Sequence, residues 1–143
     1  MADIEYLLLA NHAEAVNGLL YVLGAGWTDQ WRGVIPEDTP PPVTHFGIAA
    51  SVLVPWTETN RPHHLSIRIE GEDGAPELGR LEADLEVGRP PGSRPGTDQR
   101  AVMAVNVNLQ FPRAGGYRIV AELGDKVRTT SFRVNDAPLP TLR

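Results

Sequence analysis

Four histidines, His12, His45, His63 and His64, have the widest chemical range of any residues in this chain. A metal centre needs three or four donors that converge. The adjacent pair His63-His64 points to opposite faces of an extended segment, so the two do not meet on one ion. His12 and His45 fall in separate apolar runs and read as surface or strand-end histidines. Glu70, Glu72 and Asp73, with Glu77 nearby, offer oxygen donors of the kind calcium takes. They lack the alternating ligand spacing of a rigid calcium loop, and an Asp73-Gly74 turn beside exposed strand ends explains the same residues. Ser51, Ser66, Ser93 and Ser131 have no Gly-x-Ser-x-Gly context and no base close in sequence. The expectation is no catalytic residue, no bound metal and no cofactor.

Binding is better provided for. Arg89, Arg94 and Arg100 flank or lie in a loop of about a dozen residues rich in Pro and Gly, longer than most hairpin connections. Their planar guanidinium groups suit carboxylates or phosphates. Trp31 and Trp56 sit in connectors, and tryptophan favours sites that are half buried and half wet, including interfaces. These five residues are the candidate interaction set. Trp27 reads as packing at the rim of a core.

The elements that must position these groups are strands. Tyr117, Ile119, Ala121 and Leu123 alternate with Arg118 and Glu122, then Gly124-Asp125 precedes a second run holding Phe132 and Val134. That is a β-hairpin. Asn17-Gly18 between the apolar runs Ile4–Ala15 and Leu19–Trp27 marks another, with Leu19, Tyr21, Leu23, Ala25 and Trp27 on one face. A helix over Ala13–Leu23 is the rival reading, and Gly18 in its middle opposes it at about 1 kcal/mol. Trp31–Val43, with Pro36 and Pro40-Pro41-Pro42, reads as a stiff crossover loop. Thr44–Val54, Leu65–Glu70, Leu81–Val87 and Ala101–Phe111 each alternate. About eight strands with one apolar face predict an all-β, single-domain antiparallel β-sandwich over residues 1–135, with a closed barrel as the alternative. Residues 136–143 read as a flexible Pro-rich tail.

Composition narrows the function classes. The 143 residues suffice for one core. A net charge of -5 argues against a general nucleic-acid binder. The absence of cysteine excludes disulfides, a thiol nucleophile and zinc-thiolate sites. No apolar stretch approaches a membrane span, and acidic Asp3 and Glu5 precede Tyr6–Ala10 where a leader would be basic. A cytoplasmic location is therefore expected. All but one of the 13 basic residues are arginine, which points to a GC-rich bacterial source.

The segment Glu5–Gly24, with its apolar run, Ala13-Glu14, Asn17-Gly18 turn and closing Gly24, resembles the start of a bacterial family of small β-sandwich domains of unknown function. His64–Ile69 with Asp73-Gly74, and Gly116–Ile119, stand where that family has matching strands. The resemblance implies an immunoglobulin-like or C2-like sandwich and carries no catalytic residues. The expected function is a non-catalytic protein-interaction or assembly module with an unknown protein partner. A small-ligand or calcium-binding sandwich is the alternative, and an enzyme of unknown reaction the third class. The first strand, Ile4–Ala10, is apolar enough to be central, covered or an interface, and a homodimer through that strand is expected.

Overall fold

A computed structural model describes residues 1–33 and 35–137. It contains ten strands: β1 (Asp3–Ala10), β2 (His12–Val16), β3 (Leu19–Leu23), β4 (Asp29–Arg32), β5 (Val43–Val54), β6 (Pro62–Gly71), β7 (Glu77–Glu86), β8 (Gln99–Gln110), β9 (Gly115–Leu123) and β10 (Lys126–Asp136). A single 3-10 turn covers Trp56–Glu58. The two strands beyond the expected eight have separate origins. The first apolar run bends at Asn11 and becomes β1 and β2. Asp29–Arg32 pairs in parallel with β10, although its end had read as the start of a loop.

Two sheets pack face to face. One has the order β1-β5-β8 and the other β4-β10-β9-β6-β7. Their inner faces are the apolar sets the alternation predicts: Phe46, Ile48, Ala50, Val52 and Val54 from β5, Leu65, Ile67 and Ile69 from β6, Tyr117, Ile119, Ala121 and Leu123 from β9. Period-2 alternation places every second side chain on one face, so a buried sheet face selects the apolar set. At one pole the aromatic rings interlock. Trp27 meets Phe46 and Phe132 edge-on at 5.9 and 5.8 Å, and Phe111 meets Tyr117 at 4.7 Å. The Tyr117 hydroxyl donates to the Arg113 carbonyl four residues upstream at 2.6 Å. This is the tyrosine corner of Greek-key sandwiches, which fixes where the chain enters a strand.

The third sheet is the two-stranded hairpin β2–β3, which lies across the outer face of β5 and β8. Its turn has φ of +50° at Asn17 and +76° at Gly18, the signature of a type I′ turn. The close approach is possible because that outer face is lined by small residues. A Cβ on Gly47 would lie 2.8 Å from the Ala13 nitrogen, and Ala49 and Ser51 are fully buried. Asn106 completes the seam: the Ala13 amide donates to its Oδ1, and its Nδ2 donates to the Ala13 carbonyl.

Strand β1 is covered on its inner face. Ile4, Leu7 and Leu9 are buried there, Gly26 donates to the Leu9 carbonyl, and the Thr130 hydroxyl donates to the Leu7 carbonyl. At the C-terminus, the expected tail covers residues 136–143. Asp136 belongs to β10 and pairs with Arg32, and Ala137 donates to the Arg32 carbonyl at 2.7 Å. The rest of that tail, 138–143, lies outside the described residues.

Candidate interaction surface

The hairpin β2–β3 carries an unusual apolar display. Cross-strand pairing sets Val16 opposite Leu19, Glu14 opposite Tyr21 and His12 opposite Leu23. Paired residues of an antiparallel ladder share a face. This face points to solvent: Val16, Leu19, Tyr21 and Leu23 are 45%, 60%, 55% and 66% exposed. On the opposite face Ala13 is buried and Leu20 and Val22 are half-buried against the sandwich, while Ala15 near the turn is exposed. The face shared by Leu19, Tyr21 and Leu23 is thus the outer one. The strand ends at Leu23, and the chain turns through Gly24–Gly26 before Trp27 re-enters the core rim.

The five sequence candidates do not form one site. Arg89 and Trp56 come together: the guanidinium carbon lies 4.1 Å from the indole centroid, Nε donates to the Thr59 hydroxyl and Nη2 to the Trp56 carbonyl. The pair ties the β7–β8 connection to the turn after β5. Arg100 forms a two-pronged bond to Glu5 at 2.6 and 2.7 Å, and Glu5 also accepts from the buried Ser51 hydroxyl. The Arg100 guanidinium first, and then the Ser51 hydroxyl, hold the Glu5 carboxyl below its ordinary value. Arg94 is exposed in the same loop, its carbonyl accepting from Thr97. Trp31 is 65% exposed on β4, opposite Asn135, at the other pole of the sandwich. Sequence spacing had no means to separate the poles, because strand direction and sheet order decide them.

The chemistry-bearing residues distribute as follows. His12 and His45 do meet, stacked with ring centroids 5.9 Å apart where the hairpin crosses β5. His45 Nδ1 bonds Asn108 and His12 Nε2 bonds Glu14. His63 bonds the Glu58 carbonyl, while His64 bonds Asp84 on the opposite face at 2.8 Å. The Asp84 carboxylate raises the His64 pKa above its ordinary value. Among the described residues no group of three or more metal-ligating side chains converges. Glu70, expected at a turn, is buried and held by Arg118 at 2.7 Å and Arg68 at 3.0 Å, and Arg68 also bonds Glu122. Burial pushes the Glu70 carboxyl up, but the bonds from the two arginines outweigh it and the net shift is downward. An arginine-saturated carboxylate is a poor calcium ligand, because the cation would have to displace both partners. A polar depression of about 400 Å³ lies at the pole beside Glu72, Asp73, Arg113 and Gly116.

No described helix is long and apolar enough to cross a membrane. No curated protein matches the chain. Among solved structures, it is similar to a protein described as a β-galactosidase from Bacteroides fragilis, at 15% identity and a TM-score of 0.44. It is similar to a β-glucuronidase from glycoside hydrolase family 2 at 12% identity and 0.43. In each case 66% of this chain is covered, but only 14% and 10% of those much longer chains. A family model matches residues 5–135, so the chain belongs to the family of unknown function DUF6941.

Proposed function

We propose that residues 1–135 form a non-catalytic protein-interaction or assembly module that works in the cytoplasm, with the outer face of the hairpin β2–β3 as its contact surface. The observation that carries this is the cluster of Val16, Leu19, Tyr21 and Leu23, more than two fifths exposed each, on a rigid two-stranded platform. Contiguous apolar side chains at the surface of a soluble domain mark an interaction site. Tyrosine adds area at low entropy cost, and the type I′ turn holds the strands in one conformation. The neighbouring residues are Glu14 and Asn17, and the molecule carries a charge of -5. A membrane-seeking face would be ringed by lysine and arginine, so the partner is a protein with an apolar patch. Freedom from cysteine is compatible with a reducing compartment. Arg94 and Trp31, both exposed, are secondary contacts in this reading.

The test is site-specific photocrosslinking in source cells, with a benzophenone side chain at Tyr21 and, as control, at Ser131 on the outer face of the opposite sheet. A discrete adduct at Tyr21, lost in L19E/L23E and absent at Ser131, is expected. No adduct at Tyr21, or one indifferent to L19E/L23E, would overturn the assignment.

A further inference from the structure

The sandwich is closed along one side and open along the other. On the closed side β1 packs against β10. On the open side the edge strands β7 and β8 face each other, and among the described residues each pairs with one strand only, β6 and β5 respectively. Between them lies an apolar cleft of about 290 Å³, lined by Ile67, Ile69, Leu81, Val105, Val107 and Leu109. Met103, Val105, Val107 and Leu109 are only partly buried there, although they belong to the inward set of β8.

The two edges are defended very differently. β7 carries Glu77, Glu82, Asp84 and Glu86, and its ladder with β6 has a register shift between Ile69 and Glu70. Charge and irregularity are standard protections of a sheet edge. β8 has neither. Its 12 residues keep unbroken register with β5 from Gln99 to Gln110, with no proline, lysine or bulge. Its one charge, Arg100, is neutralised by Glu5. A long, regular, uncharged edge beside an apolar cleft is a template for another strand.

The β8 sequence itself suits that strand. We propose that β8 pairs with β8 of a second copy, antiparallel across a two-fold axis centred on Val105. This rests on the assembly reading above but uses a different surface. Antiparallel partners share a face, so this register sets Met103 against Val107 and Ala101 against Leu109 of the copy, with Val105 on the axis. All inward pairs are apolar and extend over both clefts. On the outer face Arg100 meets Gln110, Val102 meets Asn108 and Ala104 meets Asn106 of the copy, so no like charges oppose. The pairing joins the two three-stranded sheets into one of six strands, an isologous and closed assembly.

Light scattering across a gel-filtration peak at micromolar concentration reads the result directly. The expected mass is twice 15.6 kDa. V102K/N108K places two lysine pairs across the axis and halves the mass while the far-ultraviolet circular dichroism of the folded chain is retained. V102K/N108E, which makes the same two contacts attractive, restores the doubled mass. A wild-type mass of 15.6 kDa, a V102K/N108K dimer or a V102K/N108E monomer would each overturn the pairing. If V102K/N108K fails to fold, amide exchange of the wild-type protein decides. Protection of alternate β8 amides that is lost on dilution supports the dimer, and concentration-independent exchange sinks it. A monomer that still crosslinks at Tyr21 would remove the dimer alone and leave the hairpin assignment intact.

Discussion

Glu70 shows how a single residue changes meaning between sequence and structure. In the sequence it heads an acidic turn; in the fold it is 5% exposed and bonded to two arginines. Its folded-state pKa is depressed below that of an ordinary glutamate carboxyl. A depressed carboxylate contributes stability that is present above the unfolded pKa and lost as pH falls through the folded value. Wild-type stability should therefore drop on acidification below about pH 4.5, and Glu70→Gln should flatten that drop. At neutral pH, Glu70→Gln should cost about 1–3 kcal/mol, read from urea midpoints, since two charge-assisted bonds weaken. A curve whose acid limb is the same in both proteins would show that Glu70 is not the titrating group. Tyr117 makes the second residue-scale case. Tyr117→Phe keeps the edge-on ring contact with Phe111 and deletes the hydroxyl bond to the Arg113 carbonyl. A loss of about 1–2 kcal/mol is expected, and an unchanged midpoint would deny the corner any structural role.

At the scale of elements, the hairpin β2–β3 depends on a backbone approach that only a residue without Cβ permits. Gly47→Ala would drive a methyl against the Ala13 amide and the Asn106 side-chain oxygen, which themselves bond each other. The expected effect is overpacking of about 1–3 kcal/mol, with the hairpin lifting from β5. Hydrogen exchange at the Ala13 amide should accelerate much more than at Ile119 in the core, because local opening affects the hairpin first. Equal acceleration at both sites would mean that the hairpin is integral to the core. Hairpins of this kind are legible from Asn17-Gly18 as elements, but their seat is not. Leu20 and Val22 are as apolar as Leu19, Tyr21 and Leu23, so period-2 alternation does not choose the buried face. Tight contact with Gly47, Ala49 and Asn106 chose it.

On the scale of the whole molecule, both sheets contribute to one hydrophobic cluster that runs from Ile4 in β1 to Val134 in β10. A shared core leaves neither sheet able to keep its inner face buried alone. Urea unfolding should follow one transition, with coincident midpoints from far-ultraviolet circular dichroism and from tryptophan fluorescence. Trp27 reports on the aromatic pole through its contacts with Phe46 and Phe132. Separate midpoints would show that the sheets unfold independently.

The amino-acid sequence by itself determined what local chemistry can specify. Alternation in β5, β6 and β9 set the strands and their inward residues, turn dipeptides set the hairpins, and composition bounded the chemistry. These are short-range signals, because side-chain direction in a strand repeats every two residues whatever the strand packs against. Tertiary structure alone decided the rest. It paired Asp29–Arg32 with a strand about 100 residues away, brought His12 onto His45, and gave Glu70 its arginines. It also sent Trp31 and Trp56 to opposite poles and left β8 as an undefended edge. Each of these depends on sheet order and on which face meets which, and contacts that join distant segments leave no periodic trace in the residues that make them.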